Sequence, residues 1–263
     1  MLFRLDTWLL VLLLVLVVVG ATVAGLVLGR WLRGRSEGFK EPMGVLQGAV
    51  LGIVGLLLAF SMSLAVGRYE DRRAALVAEA NAIGTTWLRA QTLQEPQRSR
   101  SLALLVDYTD LAIRSTHERI DSDGLRRTTA AEGVLQRRLW RLAGQSLAGA
   151  PVASAPRLYV ETLNDMIDQQ TVRISSLSNR VPESVLWLDV IASAVALGLL
   201  AMYIAFVGRG HVTVVLAALL VAGLLFVIFD LDRPTRGVIT VPDTPLTSLR
   251  ASMALPPAAE GPG

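Results

Sequence analysis

Four blocks of the chain are apolar at nearly every position. Between the second and third of them, charged residues recur every three or four positions. A bilayer core of ~30 Å takes about 20 apolar residues of helix. The blocks from Trp8 to Leu28, Val45 to Val66, Val185 to Val207 and Val212 to Phe229 meet that length or come close to it. The first carries no charge, opens on a tryptophan suited to the membrane interface, and is followed by Gly29-Arg30-Trp31-Leu32-Arg33. That flank and the length of the run read as a retained span; a signal peptide has an apolar core of only ~7–15 residues. Gly208-Arg209-Gly210-His211 joins the last two spans in a tight antiparallel hairpin, and Gly29 to Gly44 joins the first two.

The stretch from Gly67 to Ser184 contains no strand-like alternation, and its apolar positions follow the helical period. The second span is expected to continue through Arg68-Tyr69-Glu70-Asp71-Arg72-Arg73 to about Leu93, ending at Glu95-Pro96. Helices over 98–120, 129–147 and 157–177 follow, with a turn at Asp121-Ser122-Asp123-Gly124 and a breaker from Gly149 to Pro156. Amphipathic helices of this kind bundle. The expected architecture is an all-α membrane protein: four transmembrane helices with an extramembrane helical bundle inserted between the second and third. Residues 1–66 supply spans one and two, 67–184 the bundle, 185–232 spans three and four, and 233–263 a tail. In that tail Gly237 to Val241 reads as extended, and Pro256 to Gly263 as disordered.

Composition then narrows the chemistry. Of 263 residues 52% are hydrophobic, and there is no cysteine, which excludes disulfides, thiol nucleophiles and thiolate metal sites. The two histidines, His117 and His211, lie far apart. No nucleophile–base pair or metal-ligand cluster stands at usable spacing, so neither an enzyme, a cofactor nor a metal site is expected. Between Arg68 and Glu183, sixteen arginines stand against fourteen acidic residues. That near balance excludes a nucleic-acid surface. The short loops carry Arg30, Arg33, Arg35, Lys40 and Arg209. The opposite face carries the larger set of Arg4, Arg68, Arg72, Arg73, Arg180, Arg233 and Arg236. By the positive-inside rule, the termini and the bundle are expected on the cytoplasmic side of the cell (inner) membrane.

Two groups of residues stand out as candidate sites. Gly48, Gly52, Gly55, Ala59 and Ser63 step along one stripe of the second span, flanked by Gly44 and Gly67, with a shorter version in Ala21, Gly25 and Gly29 of the first. Small residues let helices approach closely in lipid. The stripe is either a pore-lining or oligomer face, or ordinary packing within the chain. The second group is a polar juncture at the membrane face: Arg68, Arg72, Arg73, Glu79, Asn81, Asp189, Asp230, Asp232 and Arg233. An intramembrane carboxylate such as Asp189 is a functional candidate by default; its alternative role is in an ion-pair cluster tying the helix ends together. In the Glu79-Asn81-Thr85 stretch Asn81 and Thr85 share a face at i,i+4; the stretch is either a polar juncture controlling ion passage or a set of buried polar contacts locking the bundle to the membrane stem.

Several motifs then carry a resemblance. Gly55-Leu56-Leu57-Leu58-Ala59-Phe60-Ser61, Arg68-Tyr69-Glu70-Asp71-Arg72-Arg73 and Glu79-Ala80-Asn81-Ala82-Ile83-Gly84-Thr85 resemble the bacterial bestrophin-like domain family. Leu163-Asn164-Asp165-Met166-Ile167-Asp168, and Asp230-Leu231-Asp232-Arg233-Pro234 with Gly237, are similar to it later in the chain. The resemblance implies kinship with bestrophins: oligomeric anion channels with four transmembrane helices and cytoplasmic helices. The bestrophin pore-neck signature has no match in the second span, and no acidic calcium cluster follows the fourth. Two readings of function follow. One is a homo-oligomeric channel passing a small ion and embedded in membrane lipid. The other is a non-conducting scaffold or sensor whose helical domain binds a partner.

Overall fold

The computed structural model describes residues 7–32, 40–120, 122–208, 210–235 and 237–256. These form eight helices and, among the described residues, no strand. Four helices are long and apolar enough to cross a membrane. The basic residues Arg4, Arg33, Arg35, Arg209 and Arg236, which entered the orientation argument, lie outside the described residues, as do 257–263 of the expected disordered end. The chain divides into two compact units, residues 1–69 with 180–239 and residues 70–179 with 240–263.

The first unit contains α1 (Thr7–Leu32), the start of α2 (Lys40–Ala90), α6 (Glu183–Val207) and α7 (His211–Leu231). Helix α1 lies close against α6 because glycines meet small residues there. A Cβ on Gly25 would run into the Gly198 carbonyl, and one on Gly29 would come within 2.6 Å of the Met202 carbonyl oxygen. Close approach gives dispersion contact that lipid-exposed helices otherwise lack. Leu10, Leu14, Val54, Leu58, Leu186, Leu225 and Phe229 form the shared core. Leu12, Leu16 and Val23 of α1 and Leu216, Leu219 and Leu220 of α7 face outward. The turn from α6 to α7 depends on two glycines with positive φ, Gly208 at 79° and Gly210 at 103°. Those angles suit a residue without Cβ, and the Gly208 N–H closes the last turn of α6 on the Ile204 carbonyl at 2.9 Å.

The second unit contains the rest of α2, α3 (Gln97–His117), α4 (Asp123–Gly149), α5 (Ser154–Ser178) and α8 (Thr244–Ser252). Its core gathers Leu76, Ile83, Leu105, Tyr108, Leu139, Tyr159, Leu163 and Met166. Helix α4 begins six residues before the expected start at Thr129. The Ser122 hydroxyl accepts the Leu125 N–H at 3.0 Å, so what reads as a turn is an N-cap. Residues 244–252, expected to be tail, form α8 and belong to this unit. Leu246 and Met253 are buried in the core. Arg250 Nε donates to Asp110 at 2.7 Å, and His117 lies 3.0 Å from Asp243.

Candidate functional site

In the second unit the helical period places polar groups inside the core. On α5 the buried series Tyr159, Leu163, Met166 ends in Gln170 and Arg173. On α4 it runs Leu125, Thr128, Glu132, Leu135, Leu139. On α2, Glu79 shares the stripe of Leu76, Ala80 and Ile83. Steps of three and four leave each on its helix's inner face. Glu79 and Glu132 are fully buried and Arg173 is 3% exposed. Arg173 ion-pairs with Glu79 and lies 3.5 Å from Glu132. Gln170 Nε2 donates to Glu132 at 2.7 Å. Tyr108, also buried, accepts from Gln136 at 3.4 Å and places its hydroxyl beside Glu79.

One guanidinium therefore serves two carboxyls. Burial pushes the Glu79 carboxyl up; Arg173 opposes the rise and Glu132 adds to it. Burial likewise raises Glu132, against the pull of Arg173 and the Gln170 hydrogen bond. Tyr108 is driven well above its ordinary value by burial and then by the two glutamates, which disfavour a third negative charge. The cluster can hold a proton at its carboxyls. It offers no nucleophile, and among the described residues no three His, Asp or Glu groups are placed to hold a metal. Sequence reasoning singled out Glu79 but missed Glu132, Gln170 and Arg173. The available signal was a polar residue recurring at apolar positions of an amphipathic helix.

The expected juncture residues divide between the units. Arg72, Arg73, Glu79 and Asn81 lie in the second. Arg72 is buried, while Arg73 is exposed and 3.5 Å from Glu70. Asn81 and Thr85 lie on an exposed face, and the Thr85 hydroxyl bonds back to the Asn81 carbonyl at 2.9 Å. In this stretch Glu79 makes a buried polar contact, with Arg173, and Ala80 and Ile83 take the inner positions beside it; Asn81 and Thr85 do not.

Arg68, Asp189, Asp230, Asp232 and Arg233 lie in the first unit. Asp230 accepts the N–H groups of Val238 and Ile239 at 2.8 and 2.7 Å. Gly237 fits beneath, where a Cβ would come within 2.7 Å of the Asp230 carbonyl oxygen. Asp232 accepts the Val181 N–H at 2.9 Å. Both carboxylates serve backbone donors and shape the chain on either side of the spans. Asp189 is fully buried, with the Ser61 hydroxyl facing it, and among the described residues neither of its oxygens has a partner in full hydrogen-bonding geometry. An ion-pair cluster at Asp189 is therefore not what forms.

Helix α2 has three distinct faces in the first unit. Val54, Leu58, Ser61 and Ala65 are buried. Leu46, Ile53, Leu56, Phe60 and Leu64 make an exposed face of large apolar side chains. Gly48, Gly52, Gly55, Ala59 and Ser63 make a third, exposed face of small ones. A Cβ on Gly48, Gly52 or Gly55 would meet nothing within 4 Å; only the flanking Gly44 touches a neighbour, Tyr203 at 3.2 Å. Among the described residues nothing packs against Gly48, Gly52 or Gly55 of the α2 stripe, whereas Gly25 and Gly29 of α1 pack against α6.

The model of the bestrophin-like domain matches residues 11–246. The chain belongs to the bestrophin-like family. Solved structures share the fold of this bestrophin-like chain. A point variant of a bacterial bestrophin homologue from Klebsiella pneumoniae matches with a TM-score of 0.72 at 13% identity, over 92% of this chain and 97% of that one. A second structure of that homologue gives 0.64 at 15%, over 92% and 94%. A structure described as a membrane protein gives 0.68 at 15%, over 92% and 97%. Identities this low speak for fold alone. No curated protein matches the bestrophin-like chain.

Proposed function

We propose that this bestrophin-like protein is a homo-oligomeric ion channel whose α2 helices surround the conducting axis. The observation that carries the reading is the small-residue face of α2, exposed along 48–63, with none of the described residues against Gly48, Gly52 or Gly55. A single-span face turned to lipid gains from large side chains, as on the adjoining Leu56 and Phe60 face. Glycines at three- and four-residue steps suit another copy of the chain or a narrow pore. The length of α2 supports a bundle outside the bilayer. Its 51 residues extend about 76 Å at ~1.5 Å per residue, against a hydrocarbon core of ~30 Å. In this reading residues 70–179 lie outside the membrane, on the cytoplasmic side favoured by the arginine count.

The cysteine-free chain makes the test direct. Single substitutions Gly52→Cys and Ala59→Cys should crosslink protomers on mild oxidation, while Phe60→Cys should not. Purified protein in liposomes should pass small ions, and bulky thiol reagents at position 52 should block that flux. A folded protein that stays monomeric and gives no flux sinks the channel reading and leaves the scaffold.

A further inference from the structure

Three polar side chains in the first unit are buried with, among the described residues, no full hydrogen bond to another group. Asp189 and Ser193 are 0% exposed and Ser61 is 1% exposed. Asp189 and Ser193 are one turn apart on the inner face of α6, among Leu186, Val190, Ala196 and Leu197. Ser61 sits on the buried face of α2, and its hydroxyl faces the Asp189 carboxyl. Ser61 is thus close enough to act on the Asp189 carboxyl, but among the described residues none of the four side-chain oxygens reaches a partner in full hydrogen-bonding geometry. A serine or threonine inside a helix readily bonds the carbonyl one turn back, as Thr22 does to Val18 at 2.7 Å. Ser61 and Ser193 do not.

An ionised carboxylate without a counter-charge is costly in a low-dielectric interior. Two serines turned inward beside it can each donate one O–H to the carboxylate and still leave their own oxygen lone pairs unmet among apolar neighbours. We propose that Asp189, Ser61 and Ser193 form a binding site for one small monovalent cation of sodium size. Charge selects the valence: one carboxylate neutralises one positive charge, and a divalent ion would leave a buried excess. The donor set selects the ion type, because carboxylate and hydroxyl oxygens are hard ligands. A proton would serve one of the four oxygens, whereas a bound cation draws on all of them. The site faces the interior and not the open stripe of α2, so it stands independently of the channel reading.

The test uses the intact protein purified in detergent. Melting temperature is measured in sodium, potassium and choline chloride at equal ionic strength and at two pH values, with equilibrium binding of radioactive sodium alongside. Near-saturating sodium should raise the midpoint by about 3–6 °C over choline. Asp189→Asn should abolish both the rise and the bound sodium, and Ser193→Ala and Ser61→Ala should weaken them while the protein still melts cooperatively. Equal midpoints in all three salts overturn the proposal. So does a sodium effect that survives in Asp189→Asn. A midpoint that follows pH alone, through Asp189, shows a proton there and also overturns it.

Discussion

Arg173 is a cation shared by Glu79 and Glu132, and its loss leaves two carboxyls in an apolar core. Arg173→Met should cost about 3–5 kcal/mol, the usual penalty for breaking a buried pair from one side. Thermal unfolding of the intact protein measures it. Glu132→Gln should cost far less, since it removes a charge that Arg173 only partly offsets. The pH dependence has a defined sign. Both glutamates sit above the ordinary value of 4.5 when folded. Their contribution is fully present below that value and is lost as pH rises through the raised folded value. Wild-type stability should therefore fall relative to Glu132→Gln as pH climbs from about 4.5, and a flat difference would contradict it. The two groups were unequally legible. Glu132 and Arg173 occupy apolar positions of readable helical periods. Their meeting with Glu79, more than fifty residues from Glu132, depends on tertiary packing that no local pattern encodes.

Helices show which small residues are structural. Gly25→Leu should destabilise the protein by about 1–3 kcal/mol or more, because the added atoms run into the α6 backbone. Gly52→Ala should leave protomer stability within about 0.5 kcal/mol, the usual range for a substitution meeting nothing. Comparing detergent-solubilised melting curves separates the two. From the residues alone both glycines sit in the same kind of stripe; only the partner helix distinguishes them. Helix α8 is the instructive miss. It has nine residues, too few to hold a helix in water by itself, and prolines surround it. Pro245 in its first turn is a start signal, but Leu246 and Met253 supply the reason it folds. Leu246→Ala should cost about 2–5 kcal/mol as a core truncation, read by the same unfolding measurement.

At the scale of the molecule, the four spans were legible because their apolar runs exceed anything a soluble core of this size needs. The long continuation of α2 was legible too, since no breaker falls between Gly67 and Glu95. Which surfaces are finished and which stay open was not, because a stripe of glycines carries no record of what covers it. The buried cluster of two carboxyls and one guanidinium has one further effect. In the unfolded chain near neutral pH both glutamates are ionised; in the folded unit their environment favours adding a proton. Folding of this unit should therefore take up protons from the medium within the window set by the raised carboxyls. Refolding followed by calorimetry in buffers of different ionisation heat would count them. The pH of the compartment where the chain matures would thereby enter its folding equilibrium directly.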